Sequence, residues 1–298
     1  MRAVRAAFVV VVLAFCGLAV ASQWSDIGPR IGDLSPGPVL GAAAATGASL
    51  WCSFGAWRLT LGALGPSPPR GAAARIFFVG QLAKFVPGSV WALVGQMELG
   101  RAYGLSRRQI GTAGLLVLAI SLTVALGLGT LAAPAVLDAG GPAYVAVLAL
   151  VVPLAAVLHP RVLGPLLDRV FARLRRPPLQ RRLDGTDVAR IAALSLASNT
   201  LLGVQVWLLA LDLGASGPRV LPLAIGGYAL AASAALVIVF LPAGLGAREA
   251  GLVLALSPVL DLGEAAVVAI ASRLVMTLAD VAAATLANVR RSSGPEHR

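Results

Sequence analysis

The segment 109–131 contains no charged residue. As a helix it would be about 35 Å long at about 1.5 Å per residue, enough to cross a hydrocarbon core of about 30 Å. Similar apolar runs cover 38–64, 143–158, 191–211 and 265–289, with charges gathered between them. Backbone polar groups in lipid must be satisfied within the segment, so runs of this kind dictate helices. The chain is expected to be an all-α integral membrane protein with eight or more hydrophobic segments. Its 58% hydrophobic and 12% charged residues, at mean hydropathy +0.86, fit that class.

The formal charge of +11 raises nucleic-acid binding. The arginines, however, sit at the ends of apolar segments, as expected for loops that fix membrane orientation. No nucleic-acid partner is expected. Of the 24 basic residues, Arg30 and Arg219 fall on expected outer loops, and Lys84, Arg248 and Arg273 fall within the membrane. The others lie on inner loops or termini, which places both termini in the cytoplasm.

The start, 1–21, has Arg2 and Arg5 before an apolar run ending at Ala19-Val20-Ala21. Its small-x-small end has the form of a signal-peptide cleavage site, but the spans that follow favour a retained first span. Cys16 and Cys52 lie in apolar runs and are too few for a disulfide framework or metal site. His159 and His297 lie in polar stretches. HExxH, GxSxG and Walker-type glycine loops are absent. No cofactor, metal or catalytic residue is expected, and the chain is read as a non-enzyme.

Two stretches interrupt the apolar pattern. In the first, Lys84-Phe85-Val86-Pro87-Gly88-Ser89-Val90-Trp91, Lys84 is the sole lysine of the protein. The piece 75–86 is about 18 Å long as a helix, too short to cross. Pro87 then breaks it, and a second piece, 88–103, returns to Arg101, Arg107 and Arg108. Arginine at both ends predicts a re-entrant hairpin open to the cytoplasm. The second stretch, Phe240-Leu241-Pro242-Ala243-Gly244-Leu245-Gly246-Ala247-Arg248-Glu249, lies about half a chain later. It joins 221–241 to 244–260, with Asp212, Asp261 and Glu264 at the flanks, and so opens outward. Residues 222–241 are also long enough to cross completely, at about 30 Å.

These elements form two units, about 38–131 and 191–289, joined through the Arg-rich cytoplasmic loop 159–190. Together they make a single transmembrane domain over 1–298. The predicted architecture is about six full spans plus two re-entrant hairpins in an inverted-topology repeat.

Six ionisable residues fall in membrane segments: Lys84, Glu98, Arg248, Glu249, Arg273 and Asp280. Each costs about 2.5–3.5 kcal/mol at a span centre, so they should pair or line a wet cavity. Glu98, close before Arg101, is the one best explained by a surface pair. At each break a helix begins, presenting free N–H groups at Gly88-Ser89 and at Gly244 to Gly246. Such termini favour anions. With Lys84 and Arg248 beside them, the two breaks suit a phosphate. Arg273 and Asp280 share a helix face, which makes Arg273 a third ligand and Asp280 its counter-charge or a proton carrier. Glu98 and Glu249 are the other candidates for ion pairing or proton coupling. Trp91 is read as packing, and Gln96 as a hydrogen-bonding residue facing substrate or a neighbouring helix.

The patterns Gly80-x-x-x-Lys84-x-x-Pro87-Gly88-Ser89-x-Trp91, Pro242-x-Gly244-x-Gly246-x-Arg248-Glu249 and Ser272-Arg273-Leu274 resemble the flippase-like transmembrane family. That family includes the membrane half of lysylphosphatidylglycerol synthases and stand-alone proteins linked to glycosyltransferases. Ala243 stands where the family often has a second glycine. The resemblance implies a protein of the bacterial inner membrane that moves a phospholipid or polyprenyl-phosphate-linked lipid between leaflets. It also implies functional roles for Lys84, Arg248, Glu249 and Arg273. Synthases of the family carry a separate cytosolic aminoacyl-transferring domain, of which nothing is seen before Arg298, so synthase activity is not expected. The rival readings are a non-catalytic membrane partner of a glycosyltransferase and a small-solute secondary transporter.

Overall fold

The computed structural model describes residues 34–85, 91–130, 183–237 and 246–289, with a few isolated positions elsewhere. The expected spans 1–21 and 143–158, most of the loop 159–190, and Pro87, Gly88, Ser89, Pro242 and Gly244 lie outside the described residues. Within them are eight α-helices: α1 Pro36–Leu64, α2 Arg70–Gln81, α3 Trp91–Arg101, α4 Arg107–Gly129, α5 Gly185–Asp212, α6 Val220–Val237, α7 Ala247–Leu256 and α8 Leu262–Val289. A 3-10 turn, Leu82–Phe85, extends α2. Among the described residues, α1, α4, α5 and α8 are long and apolar enough to cross a membrane, with mean hydropathy from 1.3 to 2.1. This is a multi-pass membrane protein.

The helix ends follow local chemistry. Pro36 opens α1, where its missing N–H costs nothing. Ser106 caps α4 by accepting from Gln109 N at 3.1 Å. Asp184 caps α5 by accepting from Asp187 N at 2.7 Å. Asp261 and Glu264 cap α8 reciprocally, each side chain accepting from the other's backbone N–H, at 2.7 and 3.1 Å.

Several expected boundaries move. The first hairpin's leading piece starts at Arg70, not 75, because Pro69 ends the preceding turn and no residue from Arg70 onward breaks the helix. Its regular helix stops at Gln81. Its returning piece ends at Arg101 instead of 103, and its expected start at 88 lies outside the described residues. The α5 helix begins at Gly185, inside the expected arginine loop, because the Asp184 cap lets polar sequence start the helix. Asp261 and Glu264 serve as caps as well as flanking charges.

The helices α1 and α5 form the most extensive contact in the fold and run antiparallel. Ser35 N donates to Asp212 Oδ2 at 2.7 Å at one end. Gly41 faces Leu208, and Gly55 faces Leu194. Between them, the Ser198 hydroxyl lies 2.8 Å from those of both Ser49 and Ser53. Two more polar contacts tie α5 to its neighbours. Asn199 donates to Ser121 on α4 at 3.1 Å, and buried Gln205 exchanges hydrogen bonds with Ser272 on α8. In lipid, small residues and interhelical hydrogen bonds take over part of the role that the hydrophobic effect plays in water.

The pattern of contacts is symmetric. Helix α2 packs on α3 as α6 packs on α7, α3 on α4 as α7 on α8, and α4 on α6 as α8 on α2. The core is split the same way. One hydrophobic cluster centres on α1, α2 and α4 around Trp57, Ile76 and Ile110; the other joins α5 to α8 around Val206, Tyr228 and Leu252.

Both interrupted pairs cross at glycines. A Cβ on Gly80 would lie 2.5 Å from Gln96 Cγ, and one on Gly95 would lie 3.2 Å from Ala83 Cβ. A Cβ on Gly227 would lie 2.4 Å from Ala255 Cβ, and one on Gly251 would lie 3.0 Å from Ala231 Cβ. The residue pairs run in opposite directions, so α2 and α3 are antiparallel, and so are α6 and α7. The described part of α3 is about 17 Å long, and α7, at about 15 Å, is too short to cross alone. The described part of α6 is about 27 Å long.

Candidate functional site

The two interrupted pairs meet at α8. A cavity of about 250 Å³ is lined by Lys84 and Phe85 from the 3-10 turn, Tyr228 and Leu236 from α6, Arg248 from α7, and Arg273, Met276, Thr277 and Asp280 from α8. Its polar members come from four elements, spread from position 84 to position 280. The apolar walls of Phe85, Ala232, Ala235 and Leu236 give the charges a low-dielectric setting.

The cations differ in how they are satisfied. Lys84 Nζ lies 2.5 Å from Asp280 Oδ2, with Asp280 only 4% exposed and Lys84 32% exposed. Lys84 Nζ also lies 5.5 Å from the Phe85 ring centroid. Arg273 Nη1 donates to Glu249 Oε1 at 2.5 Å. Arg248 Nη2 is 3.7 Å from the same carboxylate, and its Nη1 donates to the Met276 thioether at 3.3 Å. The Arg248 guanidinium carbon lies 5.7 Å from the Tyr228 ring centroid. Three cations face two carboxylates, which leaves one positive charge in excess.

The sequence-predicted set is therefore brought together in part. Lys84, Arg248, Arg273 and Asp280 line one cavity, and Glu249 touches both arginines. The expected pairing is corrected: Asp280 is the counter-charge of Lys84, while Arg273 is paired with Glu249. Helix spacing placed Arg273 and Asp280 on one face, but each is paired across to a different element. Gly246 is corrected too. Its backbone N–H donates to Glu249 Oε2 at 2.9 Å, so that N–H is already taken by a carboxylate. The glycine is required there for its backbone, at φ 85.

Glu98 is not part of the cavity. It is 49% exposed and pairs with Arg101 and Arg107, a surface cluster. Gln96 is buried against Gly80, where the two pieces of the first hairpin cross. Trp91, read as packing, is 43% exposed. Tyr228 and Met276 were not singled out from the sequence, since an aromatic and a thioether in apolar runs give no contrast. Yet the Tyr228 hydroxyl donates to Met276 Sδ at 3.3 Å, on the sulfur that also receives Arg248.

The arrangement can hold an anion against Arg248 while the other two cations stay paired. It has neither a nucleophile beside a base nor a metal-ligating cluster among the described residues. In a comparison with protein families, the profile described as the lysylphosphatidylglycerol synthase TM region matches residues 3–284. No curated protein matches the chain.

Proposed function

The chain belongs to the lysylphosphatidylglycerol synthase transmembrane family, and from that premise we propose that it is a transporter moving an anionic phospholipid or a polyprenyl-phosphate lipid between membrane leaflets. Membership ties it to lipid metabolism or transport. The finer reading rests above all on one observation: Lys84, Arg248 and Arg273 converge on one cavity from two interrupted helix pairs and α8. Arg248 binds the phosphate first, and Lys84 joins it by releasing Asp280. At about 250 Å³ the cavity falls below the volume of drug-sized pockets, so it takes a head group and leaves the tails outside.

The transporter reading also draws on the paired contacts. The helices that correspond in the two units, α1 and α5, run antiparallel, and exchanging the units maps the helix contacts onto one another. That is the arrangement expected of an inverted repeat rocking about a central site. The location is the bacterial inner membrane, with both termini cytoplasmic, by the arginine bias of the inner loops.

The test is translocation of fluorescent anionic lipids in proteoliposomes. Arg248→Ala and Lys84→Ala should each slow it about tenfold or more, as loss of a charge-assisted hydrogen bond implies. Full rates in both variants would sink the assignment.

A further inference from the structure

Arg248 is held unlike the other two cations of the cavity. Lys84 and Arg273 each meet a carboxylate at 2.5 Å. The nearest oxygen that Arg248 shares with a carboxylate, Glu249 Oε1, is 3.7 Å away and already accepts from Arg273. What lies directly against the guanidinium is the Met276 sulfur at 3.3 Å and the Tyr228 ring at 5.7 Å. The sulfur is itself held by the Tyr228 hydroxyl, and Tyr228 is 2% exposed, so its ring is packed on the sides that do not face the cavity.

A thioether is a weak acceptor. A ring face attracts a guanidinium through its quadrupole, and the phenol oxygen of Tyr228 is a neutral acceptor, weaker than a carboxylate. Together they orient the cation without adding a countercharge, so that its compensation is limited to the Glu249 carboxylate at 3.7 Å, which it shares with Arg273. A carboxylate at the same place would form a short, charge-assisted pair, and an incoming phosphate would have to displace it. A purely aliphatic wall would leave the long Arg248 side chain free among rotamers, and ligand binding would then bear the cost of ordering it.

We propose that Tyr228 and Met276 are positioning residues that aim Arg248 into the cavity and keep its charge free for a phosphate-bearing ligand. The proposal rests on the reading of this cavity as an anion site. It requires the acceptor at position 276 to be weak. Glutamine is close to methionine in size but places a strong carbonyl acceptor there, which would capture the guanidinium. Leucine offers no acceptor and leaves the charge free.

The experiment measures binding of dihexanoylphosphatidic acid, a phosphate head group on short tails, to the full chain in phosphatidylcholine nanodiscs. Met276→Gln should weaken binding about tenfold, and Met276→Leu should stay within about threefold of wild type. Tyr228→Phe keeps the ring but releases the Met276 sulfur and should lose about twofold, whereas Tyr228→Leu loses both ring and hydroxyl and should lose about fivefold. The deciding readout is the double-mutant cycle with Arg248→Ala. In that background, Met276→Gln and Tyr228→Leu should cause no further loss, because the cation they act through is gone. An additional loss there would mean that both act through general packing, and would overturn the proposal. Arg248-dependent binding that Met276→Gln leaves unchanged would overturn it as well, with the anion-site reading intact. Wild-type protein that does not bind the probe, or Arg248→Ala that binds it as wild type does, would overturn both. Should Met276→Gln not fold, the Tyr228 pair decides by the same cycle.

Discussion

Lys84 and Asp280 form an ion pair of 2.5 Å between the 3-10 turn after α2 and the middle of α8. Four residues before Asp280, on the same helix, Met276 contacts Arg248 of α7. Through this helix the two interrupted pairs, each built on its own hydrophobic cluster, share one cavity.

Breaking that pair from one side should be costly. Asp280→Asn leaves Lys84 without its carboxylate in an apolar setting, and a loss of about 1–3 kcal/mol is expected, reduced from a fully buried pair because Lys84 reaches the cavity. Lys84→Met combined with Asp280→Leu should recover most of it, since a well-packed apolar replacement of a buried pair is often neutral. Thermal unfolding in detergent measures both. The double variant should be folded yet inactive in lipid translocation; activity at the wild-type level would exclude Lys84 from the transport cycle.

Much of the fold was legible in the sequence because membrane segments declare themselves by what they lack. The uncharged run 109–131 became α4, and 38–64 became α1 nearly to the residue. The start of α5 was hidden because Gly185 to Arg190 is polar, and only the Asp184 cap marks the helix. The charged members of the site were legible for the opposite reason, as charges stand out against apolar sequence. Their partners were not. Spacing along α8 places Arg273 and Asp280 on one face, but it carries no information about what the other elements bring to that face. Tyr228, Met276 and the serines along α5 were missed because their significance lies only in three-dimensional neighbours.

The crossings of α2 with α3 and of α6 with α7 should tolerate no added methyl. Gly80→Ala would set a Cβ 2.5 Å from Gln96 Cγ and 3.0 Å from its backbone N, and Gly227→Ala would set one 2.4 Å from Ala255 Cβ. Each should lower stability by about 1–3 kcal/mol through overpacking. Gly47 in α1 is the control, with open space around its added Cβ. Gly47→Ala should be neutral or stabilise by up to about 1 kcal/mol through helix propensity. Equal behaviour of the three variants in thermal unfolding would refute the close crossings.

Glu98 provides a contrast among the intramembrane carboxylates proposed from sequence. Its pairs with Arg101 and Arg107 are solvent-exposed, and exposed pairs contribute about 0–1 kcal/mol. Glu98→Gln should therefore shift stability by no more than about 0.5 kcal/mol and leave translocation unchanged at every pH tested. A pH-rate profile that moves with Glu98→Gln would place a proton-carrying step at the surface cluster instead of the cavity.

The start of α7 links backbone geometry to the charge of the site. Gly246 sits at φ 85 and ψ −44, outside the region that an L side chain adopts readily. Its N–H is capped by Glu249 Oε2, while Glu249 Oε1 holds Arg273 and lies near Arg248. The one carboxylate thus starts the helix and restrains two cations. Gly246→Ala should lower stability by about 1–3 kcal/mol through backbone strain alone. Glu249→Gln separates the two roles. A glutamine side-chain oxygen can still accept from the Gly246 N–H, so the cap survives, but the site gains one net positive charge. Stability should fall modestly, and phosphate-bearing ligands should bind several-fold more tightly, with a steeper dependence on salt. Glu249→Ala loses the cap as well and should cost about 1 kcal/mol beyond Glu249→Gln. Tighter binding in Glu249→Gln would identify Glu249 as the brake on Arg248 and Arg273. Weaker binding would make it part of the ligand cage, and the charge argument for an anion at this cavity would fail.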